Sequence, residues 1–496
     1  MKLKTSRTTI AITLALALAA PAMPAHAVTF INSFTVSGSA RDLSGLANGA
    51  NTNRLGGFGS DLIYDKASNQ FYSLPDRGPG GGTIDYAPRY QAFKLGIDHN
   101  SGSISSFTLT GTTLFKDANN TSYTGLNPLL ANGNVSTLGK SLDPEGLTRL
   151  PNGNFLVSDE YGPSVLEINA AGKVLRTFTT PANIIAKNGN ALDYVNGRPT
   201  ITSGRQDNRG FEGITVSADG KTAYAILQDP LVNEGAQNDG RRSRNVRIVA
   251  FDTVTGTSTS QFIYQLEDAS TLNLITPGNT FSATSQGRNI GVSGIQALPD
   301  GRLLVLERDN RGFGPGDPTG TTPVAFKGLF VINLAGATDV SAISLAGSNA
   351  LPNGVTAVSK TAYLDIRAKL LAAGITIGEK IEGMAFGPRL AGGGVSLILI
   401  TDNDFSVTQN SSNVQFDVCT SGPGGTASEV ILDSACGAGQ SLIPTYLYSF
   451  RLDAAEARAL GFADVPEPSS WAMMVAGFGL IGGGIRRARA ARVAVA

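Results

Sequence analysis

The chain is short of the side chains that carry most hydrolytic and redox chemistry. Its 496 residues include 2 His, 2 Cys, 5 Met and 1 Trp, and only 16% are charged. His26 lies in an amino-terminal leader, which leaves His99 in the run Asp98-His99-Asn100-Ser101-Gly102, where it reads as a solvated turn residue. A Ser-His-Asp arrangement therefore has no histidine to use, and no G-x-S-x-G elbow occurs. Zinc sites of His and Cys are excluded by count. Walker-type and dinucleotide glycine fingerprints are absent, since Gly80-Gly81-Gly82 reads as a loop with no helix after it. With 60 Gly and 7% aromatics, the composition fits turn-rich sheet and excludes a helix bundle or a disordered chain. If the protein is an enzyme, carboxylates, arginines and a hard metal ion must carry its reaction.

The two ends are set apart from the rest. Lys2, Lys4 and Arg7 precede an apolar run from Ile10 to Ala20, and Ala25-His26-Ala27 is a small-x-small cleavage site. Residues 1–27 thus read as a secretory signal peptide, too short to span a bilayer as a mature helix. At the other end, residues 465–496 hold Pro466, Glu467 and Pro468, then a largely apolar Gly-rich run from Ser469 to Ile485, then Arg486, Arg487 and Arg489. That order resembles the PEP-CTERM sorting signal of Gram-negative bacteria. The resemblance implies recognition by an exosortase-type protease, transient anchoring in the inner membrane, and delivery to the cell surface or extracellular matrix. Physically, the apolar run is at the short limit of a transmembrane helix, with arginines holding its end on the cytoplasmic side.

Net charge follows from this division. The chain balances 39 Lys+Arg against 39 Asp+Glu, but seven of the basic residues and one acid, Glu467, lie in the two ends, which leaves 32 against 38, or about −6, in the domain between them. A mildly acidic exported domain lacks the basic face that nucleic acid requires. Cys419 and Cys436, an even pair within one Gly-rich insertion of an exported chain, read as a disulfide. In the chain-entropy model, closing such a loop adds on the order of 3 kcal/mol.

Between the ends, residues 28–464 repeat a unit. Leu142 to Arg176 reads as four short strands joined by tight turns: Gly146–Leu150, Phe155–Ser158, Ser164–Asn169 and Val174–Thr179. Similar segments recur at Gly57–Gly78, Gly210–Asp229, Gly291–Asp309 and Lys380–Asp404. The anchors Ser60, Glu145, Glu212, Ser293 and Glu382 are roughly 65–90 residues apart, a repeat whose units bury one another's faces. The expected fold is all-β, a β-propeller of five or six four-stranded blades. Thr361–Ala373 is one of the few stretches expected to be helical, with Asp365 and Lys369 at i,i+4.

Glu145, Glu212 and Glu382 stand just before the first strand of three units, so in a propeller they converge on the central channel. Clustered carboxylates repel unless cations or protons separate them, and oxygen ligands from several loops suit Ca²⁺. These three are the expected metal ligands. Arg77, Arg209 and Arg308 sit in the repeated motif and offer planar forks to phosphate or carboxylate oxygens. Asp159 and Glu160, at the end of a second strand, are the candidate proton acceptors.

Asp143-Pro144-Glu145-Gly146-Leu147 with Ser158-Asp159-Glu160-Tyr161, together with Gly210-Phe211-Glu212-Gly213-Ile214, Asp76-Arg77-Gly78 and Ile381-Glu382-Gly383-Met384, resembles the bacterial phytase-like family described as having esterase-like activity of phytase. The resemblance runs roughly from Gly56 to Asp453. It implies a propeller and hydrolysis of phosphate esters or related anionic esters, with calcium. A propeller lactonase or carboxylesterase is the variant reading. A non-catalytic surface propeller that holds extracellular polysaccharide is the alternative from a different class.

Overall fold

The computed structural model describes residues 28–463. The signal peptide and the sorting tail, including Pro466, Glu467 and Pro468, lie outside the described residues. No helix among the described residues is long and apolar enough to cross a membrane.

The protein is all-β and built mainly of four-stranded antiparallel sheets. The first sheet comprises Asp61–Asp65, Gln70–Leu74, Arg89–Ile97 and Ile104–Leu114. The second comprises Pro144–Arg149, Phe155–Asp159, Ser164–Ile168 and Val174–Thr177. The third starts at Phe211–Val216 and the fourth at Ile290–Ala297, each again a meander. The fifth takes Lys380–Arg389, Val395–Asp402 and Thr445–Leu452 from the end of the domain, and its outer strand, Thr29–Val36, from the beginning. Both termini of the domain are therefore tied into one sheet. A sixth, smaller sheet (Val407–Gln409, Gln415–Thr420, Ala427–Ile431, Ser441–Leu442) is an insertion within the fifth.

The first strands of the five large sheets lie side by side in chain order, and that of the fifth returns to that of the first. The contacts are intimate. The Leu147 N–H donates to Asp61 Oδ2 of the first sheet at 2.7 Å, and the Ala297 N–H donates to Thr215 Oγ1 at 2.8 Å. Separate apolar cores fill the wedges between sheets. Leu74, Tyr90, Leu147 and Phe155 join the first to the second, while Leu62, Phe93, Ile398 and Leu447 join the first to the fifth. The arrangement is propeller-like.

One local feature recurs in four of these inner strands. A register shift falls between Pro144 and Gly146, Phe211 and Gly213, Val292 and Gly294, and Ile381 and Gly383. The extra residue of each bulge is Glu145, Glu212, Ser293 or Glu382. A bulged residue leaves the ladder and its side chain is re-aimed, which points these four toward the axis. The residue after each bulge is glycine because the next inner strand leaves no room for a Cβ. At Gly213 a Cβ would lie 3.1 Å from Gly294 Cα, and at Gly383 it would lie 2.8 Å from the Asp61 carbonyl carbon.

The stretch expected to be helical is divided. Ser359–Asp365 is the outer strand of the fourth sheet and Ile366–Ala372 is a helix. Asp365 marks the boundary as N-cap, its side chain accepting from the Ala368 N–H at 2.8 Å. Cys419 and Cys436 form a disulfide within the inserted sheet. The insertion is fastened to the amino-terminal segment by Arg54, which donates from Nη2 to Asp417 Oδ2 at 2.9 Å and to Asp433 Oδ1 at 3.0 Å. Breaking such a buried pair costs about 3–5 kcal/mol.

Candidate functional site

The starts of the inner strands open on a cavity of about 370 Å³. Glu145, Glu160, Glu212 and Glu382 line it, as do Arg77, Arg209, Arg308 and Asp76. Residues from all five large sheets meet here, because each bulge turns its side chain inward and the second strands end at the same rim. The inserted sheet closes one side with Thr408 and Gln409.

Carboxylates gather in three overlapping groups, each with ligand oxygens within 4.8 Å of one another: Glu145, Glu160 and Glu212; Asp76, Asp143 and Glu145; Asp76, Asp402 and Asp404. In the first group, Glu160 Oε1 accepts from the Gly210 N–H at 3.0 Å, and Glu212 Oε1 accepts from Gln228 Nε2. Glu160 Oε2 and Glu212 Oε2 are buried without a partner. Burial holds Glu145 and Glu212 well above the usual carboxylate range, and neighbouring glutamate charges push them further. Burial also raises Glu160, against the pull of Arg77 and Arg209. Orphaned oxygens on convergent glutamates are a donor set that a hard divalent cation fits.

The second and third groups differ in their partners. Arg77 donates from its backbone N–H and from Nη1 to the two oxygens of Asp143, at 3.0 and 2.9 Å. Asp76 accepts from the Gly78 N–H at 2.8 Å. Burial, then Asp143, pushes Asp76 up to about 7; burial pushes Asp143 up to about 7 despite Arg77. Lys380 bonds Asp404 and approaches Asp402 at 3.5 Å. Burial alone would lower Lys380, but Asp404 and Asp402 reverse this and hold it above its ordinary value.

The expected residues divide accordingly. Glu145 and Glu212 converge, and their third partner is Glu160. Glu382, expected as the third ligand, lies outside that set: Arg308 donates to its Oε1, and its Oε2 is buried and unpartnered. Arg77, Arg209 and Arg308 all face the cavity. Asp159, expected as a proton acceptor, needs correction. It is wholly buried and spends its oxygens on the Asp143, Tyr161 and Gly162 N–H groups and the Ser164 hydroxyl, which fixes the turn and leaves it nothing for a substrate. Adjacent residues at a strand end point opposite ways, so Glu160 takes the cavity face. His99 is exposed, in a turn.

Sequence reasoning assigned no role to Gln228, whose carboxamide bridges Arg209 and Glu212. No ionisable group signals it; only its place next to Asp229, at the end of a second strand, could have. Lys380, which precedes Glu382 by two positions, was equally missed. Some repeated acids prove structural. Glu307 holds Lys360 and the Tyr264 hydroxyl, and Asp309 holds buried Lys327 and the Ala325 and Phe326 amides.

Known proteins place these observations. A secreted protein of Arthroderma benhamiae, itself uncharacterised, is 28% identical over 313 residues, which is 52% of this chain. The chain spans 59% of that relative's length. Among solved structures, virginiamycin B lyase from Staphylococcus aureus aligns with a TM-score of 0.30 and 9% identity, over 84% of this chain and 98% of its own. Regucalcin, a calcium-binding protein from Agrobacterium tumefaciens, aligns with a TM-score of 0.29 and 11% identity, over 69% and 81%. Likeness at that level carries nothing about activity. Residues 464–489 match the PEP-CTERM protein-sorting motif, which marks an exported, surface-directed protein processed by an exosortase-type system. Residues 53–405, most of the domain and every residue of the three carboxylate groups, match the Phytase-like model, esterase-like activity of phytase, and the chain belongs to that family.

Proposed function

We propose that the protein is a five-bladed propeller hydrolase of phosphate esters or related anionic esters, made with a signal peptide by a Gram-negative bacterium and working at its surface with a divalent cation, calcium by donor chemistry. The observation that carries this reading is the Glu145–Glu160–Glu212 set, whose ligand oxygens lie within 4.8 Å of one another. Two of those glutamates keep a buried oxygen that no protein group satisfies.

Glu145, Glu160 and Glu212 would hold the ion. Bound there, it supplies positive charge to a phosphoryl or carbonyl oxygen and makes water more acidic. The chain's own residues do the rest. Arg77, Arg209 and Arg308 draw the anionic group into the cavity and offset the charge that gathers on it. Asp143 fixes Arg77 through two hydrogen bonds, and Gln228 fixes Arg209 against Glu212. Asp76 reaches the cavity with one hydrogen bond already made, and is placed to take a proton from water.

The test uses the purified full chain, with calcium and with chelator, against p-nitrophenyl phosphate, phytate and short acyl esters. Calcium-dependent turnover is expected for the anionic esters. Loss of an outer-shell partner costs about 10–100-fold in metal affinity, so Glu212→Gln should cost about 100-fold or more, with folding intact. Full activity in that variant removes the metal from the reading. The sorting motif favours one other reading, a matrix protein that binds polymer without turnover. Retention on exopolysaccharide, with no product from any ester, would establish it instead.

A further inference from the structure

The end of the channel away from the carboxylate cavity holds a groove of its own. Three inner strands finish there, and residues at their ends line about 480 Å³: Tyr64 of the first sheet, Gln296 of the fourth and Phe386 of the fifth. The fifth sheet widens the groove, because Gly387 and Pro388 fall out of register between Phe386 and Arg389, a bulge where proline is tolerated. Lys66 and Arg389 are the charged lining residues, and no acid is among them. The acids nearby are already answered, Asp65 by Arg149 and Asp300 by Arg302.

The chain leaves the domain along this groove. The helix Ala454–Ala459 is ended by Gly461 in the left-handed region, at φ +83°, and the Phe462 N–H turns back to donate to the Ala457 carbonyl at 2.9 Å. Glycine is required there, since a Cβ would lie 2.7 Å from Asp300 N. The turn seats Phe462 edge-on against Phe386, with ring centroids 4.8 Å apart, as part of the groove lining. Arg389 then donates from Nη2 to the Ala463 carbonyl at 2.6 Å. Ala463 is the last described residue, so the fold itself fixes where the tail departs.

The segment Val465-Pro466-Glu467-Pro468 follows at once. From Ala463 to Pro468 the chain reaches at most about 17 Å, enough to cross a groove whose wall already holds Phe462. Short Pro-rich segments dock in aromatic-lined grooves because their extended shape is set in advance, and Tyr64, Phe386 and Phe462 supply three rings. Charge agrees: Asp464 and Glu467 are acidic, and the first base of the tail is Arg486. Gln296 Oε1 is buried without a donor, and the backbone N–H of Val465 or Glu467 can supply one, which a proline cannot.

We propose that this groove seats the chain's own Val465–Pro468, with the proline rings on Tyr64 and Phe386 and the Glu467 carboxylate at Lys66. The sorting motif is then held against the domain at the end opposite the carboxylate cavity. The cavity stays open while the tail is attached, and it faces away from the apolar run Ser469–Ile485. Nothing in this depends on turnover of an ester.

The test is zero-length cross-linking of the purified full chain in detergent. A carbodiimide joins an amine to a carboxylate in direct contact, and peptide mapping should find Glu467 joined to Lys66 well above any other lysine. Pro466→Ser with Pro468→Ser leaves both reacting groups in place and lies outside the folded domain; it should cut that product several-fold, and so should Gln296→Ala. An unchanged yield in these variants would mean that the tether alone brings the two groups together, and overturns the docking. So does Glu467 joined no more to Lys66 than to Lys94 or Lys221, which are exposed elsewhere on the domain. In a mixture of isotope-labelled and unlabelled chains, the product should lie within single chains. Product that joins the two kinds would put the tail in the groove of a second copy, and overturns the proposal as well.

Discussion

Two carboxylate groups at one end of the channel solve the same electrostatic problem in different ways. Asp76, Asp402 and Asp404 have Lys380 among them, an ammonium that the chain itself provides. Glu145, Glu160 and Glu212 have no ion pair among the described residues, and two of their oxygens are buried and unsatisfied. The first group has only part of its charge offset, since burial still holds Asp76 at about 7 and Asp402 well above its ordinary value. The second gets no such help and needs a proton or a cation from solution, which is why we propose it as the site. A count of acids would have ranked the two alike; the side chain that answers them separates them.

The comparison can be pressed first with pH. Asp76 and Asp143 are raised to about 7, and Glu145 and Glu212 are raised as well, so the folded chain binds more protons than the unfolded chain between pH 4 and 7. A raised carboxylate makes its ionised form a cost to folding. Metal-free stability should therefore fall as pH rises through that window, by on the order of 5 °C in melting temperature, and calcium should restore it most at the upper end. Melting curves at pH 5 and 7.5, with chelator and with calcium, decide the matter; a metal-free midpoint that rises with pH would show that the glutamates are not the dominant groups.

Lys380→Met should make the first group resemble the second. Removing one partner of a buried pair costs about 3–5 kcal/mol, but Lys380 is 26% exposed, so a loss of about 2 kcal/mol is expected from denaturant unfolding. Added calcium should recover part of it. A variant as stable as the wild type without calcium would mean that the aspartates share protons and need no cation.

The smallest effect sharpens the second group from within. Gln228→Ala frees both Arg209 and Glu212, at a cost of about 1 kcal/mol per lost hydrogen bond. Turnover of the anionic ester should fall several-fold and recover in part in Gln228→Asn. Unchanged turnover would confine the carboxamide to packing.

Much of the fold was legible because it is local. Alternating apolar residues and Asn-Gly or Asp-Gly turns place the second sheet's strands within a few residues of their observed limits, since side-chain period and turn chemistry act over neighbours. The recurring glutamate-glycine pair was visible too, although its meaning, a bulge against the next inner strand, needs two strands at once. The division at Asp365 was not visible, because the helical pattern of the stretch cannot show that the fourth sheet requires an outer strand just before it.

The site was legible in kind and not in composition. By itself the sequence narrowed any chemistry to carboxylates, arginines and a hard metal ion, placed glutamate at equivalent points of three repeat units, and marked the domain for export. Only the tertiary structure decided that Glu160 rather than Glu382 completes the glutamate set, that Asp159 is spent on a turn, and that Lys380 pairs with Asp404 and Asp402. The physical reason is distance along the chain: Glu145, Glu212 and Glu382 are far apart in sequence, and which charges meet depends on how five sheets close around one axis.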